Sequence, residues 1–134
     1  MANMLYTKAK EKLMQGQLNL LTDDIRVAIV SNTYIQSMTT DEFLAEVDDH
    51  ILGTPMALTN RSVAGGAFDG DDLNFAGIAS GATTEGVVIY KHTGDPATSP
   101  LIFYADQVQG FPMLTSGAVI EVRWGDGAYK IVSL

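Results

Sequence analysis

Cysteine is absent from this sequence, and with it disulfide bonds, zinc–thiolate sites and thiol catalysis. Positive charge is scarce: 8 Lys and Arg stand against 16 Asp and Glu, a formal net charge of −8. The few cations are scattered apart from Lys8, Lys10 and Lys12. Phosphate recognition needs clustered cations, so no nucleic-acid partner is expected. No apolar run approaches the roughly 18 residues that span a bilayer, and no membrane partner is expected either. The start, MANMLYTKAKEKLMQGQ, interleaves its lysines with apolar residues and lacks a signal-peptide pattern. Synthesis and folding in a reducing cytoplasm follow as the expectation, with exit only inside a larger particle.

What is present reads as one domain over residues 1–134, a length that supports its own core. Residues 1–17 form a first part. Leu5, Ala9 and Leu13 recur at a spacing of four, flanked by Tyr6 and Met14, which predicts a short helix. Asn3 is placed to cap its start and Gly16 to end it. Such a stripe serves equally a helix packed on its own domain or an arm reaching a neighbour.

The rest, 18–134, is expected to be a β-rich body. Ile25, Val27 and Ile29 alternate with Arg26, Ala28 and Val30 as a strand. TTDEFLAEVDDHIL predicts one further short helix, with Thr40 at the N-cap and Phe43, Leu44 and Val47 on its buried face. After Gly53, short apolar runs alternate with Gly, Thr, Ser, Asn and Asp. Expected strands are Met56–Thr59, Ser62–Ala64, Asp72–Phe75, Gly86–His92, Leu101–Ala105, Ala118–Trp124 and Tyr129–Val132. WGDGAYK reads as a tight hairpin turning at Asp126-Gly127. The fold class is therefore mainly β, an antiparallel β-sandwich or small barrel with a short N-terminal helix and one more.

Residues able to carry chemistry are few. Asp69, Asp71 and Asp72 in FDGDDLNF faintly resemble a calcium loop. Ser80 stands where the closing bidentate acid belongs, so a solvated turn is the simpler reading. His50 and His92 lie far apart in the chain, and neither sits in a nucleophile motif. Gly65-Gly66, Gly77 and Gly81 lack the lysine and the strand–helix setting of a nucleotide loop; they read as hairpin and bulge glycines. No catalytic residue, metal or cofactor is expected, and the chain is not expected to be an enzyme. Among the aromatics, Phe103 and Tyr104 must point to opposite faces of one strand. One of them is covered by the helices or offered to a partner.

The order of segments resembles a small protein of tailed-bacteriophage structural gene clusters. It is carried by YTKAKEKLMQGQLNLLTDDIRVAIVSNTY, TDEFLAEV, ILGTPMALTNRSVAGGAFDGDDLNF, VVIYKHTGDPATSPLIFYAD and VIEVRWGDGAYKIVSL, which span nearly the whole chain. The resemblance implies a structural protein of the virion, foremost a capsid decoration or cement protein, with a tail, neck or fibre component as the alternative. It implies the major coat protein or other virion proteins as partners, a homo-oligomer, and a place in the virion. The residues expected at an interface are Leu5, Tyr6, Lys8 and Lys12 of the N-terminal segment, with Tyr104.

Overall fold

The computed structural model describes residues 4–106, 108, 110–124 and 131–133. Its centre is strand β2 (Ile25–Ser31), where the apolar residues exceed what one face could bury. Val27, Ala28, Ile29 and Val30 are all fully buried. The expected alternation at Ala28 and Val30 therefore gives way to a strand covered on both faces, which the near-continuous apolar run permits. Its neighbour β7 (Thr83–Lys91) and, beyond β7, β8 (Leu101–Ala105) are similarly enclosed.

The main sheet runs β1 (Met4–Leu5), β8, β7, β2, β3 (Ile51–Ala57), with β9 (Met113–Leu114) pairing the start of β7. A second sheet pairs β6 (Leu73–Phe75) with β10 (Ile120–Val122). A third orders β11 (Val132–Ser133), β5 (Ala67–Asp69) and β4 (Ser62–Ala64). Every pairing among the described residues is antiparallel. The architecture is mainly β and sandwich-like, and the helical turns among the described residues all precede Gly53.

Helix α1 (Thr7–Met14) buries Ala9 and ends where Gly16 takes a φ of 73°. Tyr6 precedes it without a side-chain cap; Asn3 lies outside the described residues. The N-terminal segment is not separable from the body. Met4 and Leu5 pair with Tyr104 and Phe103, and the Tyr6 amide donates to the Ile102 carbonyl (3.0 Å). Leu5, Tyr6 and Tyr104 are buried inside the chain. An arm that swings free would strip β8 of this neighbour, so residues 4–17 act as an intramolecular element.

The second helix is corrected to two single 3-10 turns, Leu44–Glu46 and Asp48–His50. The loop joining β7 to β8 explains the difference. Leu44 N–H donates to the Ser99 carbonyl (2.8 Å), Ala45 N–H to the Pro96 carbonyl (3.0 Å), and the Glu42 carbonyl accepts from Leu101 (2.9 Å). With its backbone groups engaged across the chain, Phe43 stays extended. Leu44 and Val47 are buried as expected. Thr40 caps nothing and donates to the Ser37 hydroxyl (2.6 Å).

Strand β3 begins earlier than the pattern implies, with an irregular register opposite Val27 and Ile29. Strands β5, β9 and the two-residue β1 have no counterpart among the expected strands. The Asp126-Gly127 turn and Tyr129 lie outside the described residues. The strands on either side of that turn pair with β6 and with β5, in different sheets.

Two outcomes follow from this packing. Deleting residues 1 to 17 removes buried Leu5, Tyr6 and Ala9 and uncovers β8, at roughly 1.5–3 kcal/mol per large apolar side chain. Chemical denaturation of the truncated chain is expected to show a loss of several kcal/mol, and an unchanged midpoint would refute the assignment. A Cβ on Gly86 would sit 2.3 Å from the Ala105 carbonyl oxygen, so Gly86→Ala forces β7 and β8 apart. The expected loss in the same measurement is about 1–3 kcal/mol.

Candidate interaction surface

The side chains that could carry chemistry hold the fold together. Asp71 Oδ2 accepts hydrogen bonds from Thr59 Oγ1 (3.1 Å) and Asn60 Nδ2 (2.6 Å). Asp72 Oδ1 accepts from the Trp124 amide (2.8 Å), and Trp124 Nε1 donates to the Asp71 carbonyl (2.8 Å). The two acids thus tie the β3–β4 connection to the end of β10. Asp69, on β5, lies beside them in sequence, yet the described residues form no group of three His, Asp or Glu arranged to hold a metal ion.

His50 Nδ1 bonds Thr33 Oγ1 (2.8 Å), and its ring lies 5.8 Å from that of Tyr34. His92 borders a depression of about 240 Å³ with Arg26, Asp48, Tyr90 and Asp95. Arg26 there is turned onto Asp24 (3.1 Å).

The expected interface residues divide. Tyr6 is 0% and Tyr104 1% exposed, and Tyr104 meets Tyr34 edge-on at 5.8 Å. Phe103 is buried as well, so the opposite faces of β8 are both covered, and neither aromatic is offered outward. Lys12 donates to Glu42 Oε2 (2.6 Å) and lies 5.1 Å from the centre of the Phe43 ring. Lys8 reaches Glu11 at 3.9 Å.

A relay links the two segments that flank this region. Tyr34 donates to Asp41 Oδ2 (2.7 Å), which also accepts from the Ser37 amide (2.9 Å). With the Tyr34 proton committed, Tyr6 donates to the Tyr34 oxygen (2.9 Å). Burial pushes both phenols up from their usual range, so they remain donors under ordinary conditions. Partial desolvation also raises the Glu46 carboxyl above 4.5, and Asp41 adds to the rise through a shared hydrogen bond and its charge.

Two more depressions mark the surface. The larger, about 510 Å³, is polar, and its floor carries Lys12 and Lys91 among Glu11, Glu42, Phe43 and Thr98. Both lysines are ion-paired within the chain, Lys12 to Glu42 and Lys91 to Asp23 (3.5 Å). The smaller, about 130 Å³, is lined by Leu5, Leu13, Leu20, Val63, Gly66, Ala67 and Phe68. Val63 is exposed, as are Met14 and Leu21, the residues that follow Leu13 and Leu20. Among the side chains that line the hollow, Val63 is the exposed one, and an exposed apolar side chain over an apolar hollow is a candidate contact for another chain. Sequence reasoning reads Gly65-Gly66 as a hairpin but does not see this hollow, because its walls come from α1, the loop after it and β4–β5. The two-residue glycine turn beside Val63 is the available signal.

Compared with known proteins, the sequence matches no family model and no curated protein.

The raised Glu46 carboxyl, chiefly an effect of its partial desolvation, predicts a pH response. Glu46 holds its proton more tightly folded than unfolded. Its contribution is full below the unfolded value near 4.5 and lost as pH rises through the raised folded value. Glu46→Gln is therefore expected to melt no lower than the parent at pH 7. Its stability should also lack the part of the parent's gain seen on acidification towards pH 5. Paired melting curves across that range check this, and parallel curves would refute it.

Proposed function

We propose that this chain is a structural protein of a tailed-bacteriophage virion that decorates the capsid and stabilises it by binding assembled coat protein. The observation that carries the reading is the resemblance of its ordered segments, from Tyr6 through TDEFLAEV to the final VIEVRWGDGAYKIVSL. The fold is compatible with it. A cementing protein needs a rigid body and outward contacts. Here the antiparallel sheets supply the first, and the apolar hollow beside β4 offers the second.

Copies would act many at a time on a shell, as a homo-oligomer or as an array. Weak contacts then add to strong retention because each bound copy holds its neighbours' binding partner in place. The acidic balance of the chain keeps such copies apart until they are docked and disfavours packaged nucleic acid as the partner. The buried phenols and the engaged acids are assigned structural roles, and no reaction is assigned.

The test is to mix the purified chain with assembled coat shells lacking it and image them by electron cryo-microscopy. The expected result is density repeated at symmetry-related positions on the shell, with shells surviving heating better than undecorated ones. Density confined to tail, neck or fibre would overturn the capsid assignment in favour of the other virion position.

A further inference from the structure

Two buried side-chain oxygens have no hydrogen-bond partner among the described residues, the hydroxyl of Tyr104 and Oδ1 of Asp106. Tyr104 lies on β8 and Asp106 just past its end, and the alternation of a strand sends both side chains to one face. Tyr104 is 1% exposed. Its ring meets Tyr34 edge-on, but the Tyr34 hydroxyl is engaged by Tyr6 and Asp41.

Strand β7 brings a second carboxylate to the same place. Val30 faces Gly86 across the β2–β7 pairing, yet the next residue, Ser31, faces Thr84. Glu85 is therefore the extra residue of a β-bulge, a device that twists a strand and re-aims the bulged side chain. Gly86 holds the bulge against the end of β8, where a Cβ would sit 3.2 Å from the Asp106 Cα. Glu85 is thereby brought beside Asp106. The electrostatics agree, since after burial itself the charges of Asp106 and Glu85 push the Tyr104 phenol up. No lysine or arginine answers these two acids among the described residues. Lys8, Lys12, Arg26, Lys91 and Arg123 each pair with another acid, and Arg61 is turned onto the carbonyls of Leu20 and Asp23. An ionised oxygen kept from water without a partner is costly, and what this place lacks is positive charge.

The geometry points to a cation site, a calcium ion held among the Tyr104 hydroxyl, Asp106 Oδ1 and the Glu85 carboxylate. The donors are all oxygen and carry two negative charges, the chemistry of a hard divalent cation. Calcium suits them better than magnesium, because side chains drawn from a bulge, a strand and a strand end give an irregular shell and not an octahedral one. Glu85 and Asp106 are each half-buried, so water completes the shell from their exposed side. A water molecule alone could bridge the same oxygens, but it would leave both charges uncompensated. The bound ion ties the end of β8 to the bulge of β7.

Thermal melting tests it, using the full chain stripped with a chelator and then titrated with calcium. The variants are Asp106→Asn, Glu85→Gln and, in the other acidic turn, Asp71→Asn. An ion that binds only the folded chain raises its melting temperature. The parent is expected to gain roughly 5 °C or more at saturating calcium. Asp106→Asn and Glu85→Gln are expected to lose most of that gain, and Asp71→Asn to keep it. Should Asp106→Asn fail to fold, the half-buried Glu85→Gln decides. No gain in the parent would overturn the inference and leave the two oxygens to water. An equal gain in the parent and both site variants, the mark of calcium held loosely by an acidic surface, would overturn it too. So would a gain lost only in Asp71→Asn, which would place the ion in the other turn.

Discussion

Strand β2 is apolar on both faces, and that constraint organises the molecule. A sheet wet on one side can stand with one cover. A strand whose Val27, Ala28, Ile29 and Val30 are all removed from water needs two, because each exposed apolar side chain would cost about 1.5–3 kcal/mol. On one side, residues 32–50 bring Tyr34 against Tyr104. On the other, Leu5 shares the walls of the apolar hollow with Ala67 and Phe68 of the small hairpin sheet. The N-terminal strand and helix lie along β8 and join the two covers. What looks like an appendage in the sequence is part of this enclosure.

The polar groups follow from the same enclosure. Buried hydroxyls and carboxylates need partners; the covers supply them for Tyr6, Tyr34 and Asp41, while the Tyr104 hydroxyl and Asp106 Oδ1 are buried with no hydrogen-bond partner among the described residues. Tyr6, Tyr34 and Asp41 form a chain from the N-terminal segment into the first cover. Asp71 and Asp72 fasten the far end of the small sheets. Acidic residues that composition alone might assign to a ligand site are thereby engaged in hydrogen bonds within the chain. Other features face outward: a bare strand edge, an apolar hollow, and Lys10 with no ion pair among the described residues.

Some of this is legible from local pattern. Ser62–Ala64 and Leu101–Ala105 have the boundaries expected, and of the spaced Leu5, Ala9 and Leu13 the last two fall in the first helix while Leu5 lies on β1. Gly16 ends it by adopting a backbone conformation that glycine reaches without penalty. The second helix fails because its capping and apolar spacing are locally sound while distant carbonyls of Pro96 and Ser99 take its amide groups. Leu5, Tyr6 and Tyr104, expected at an interface, are buried within the chain for a related reason. An apolar stripe states that something covers it, and here the covering element belongs to the same chain.

Local chemistry along the chain is enough for the class: no thiol chemistry, an acidic chain, many short strands, and a helix confined to the first residues. These depend on composition and on neighbours within a few positions, where sterics and side-chain period act directly. Which strands are neighbours, which faces are doubly covered and which edge is left open emerge only when the sheets assemble. Val63 has the same local character as many β-branched residues in this chain. Its backbone is available because β5 spends its other edge on β11, and strand pairing between residues so far apart in sequence has no local signature.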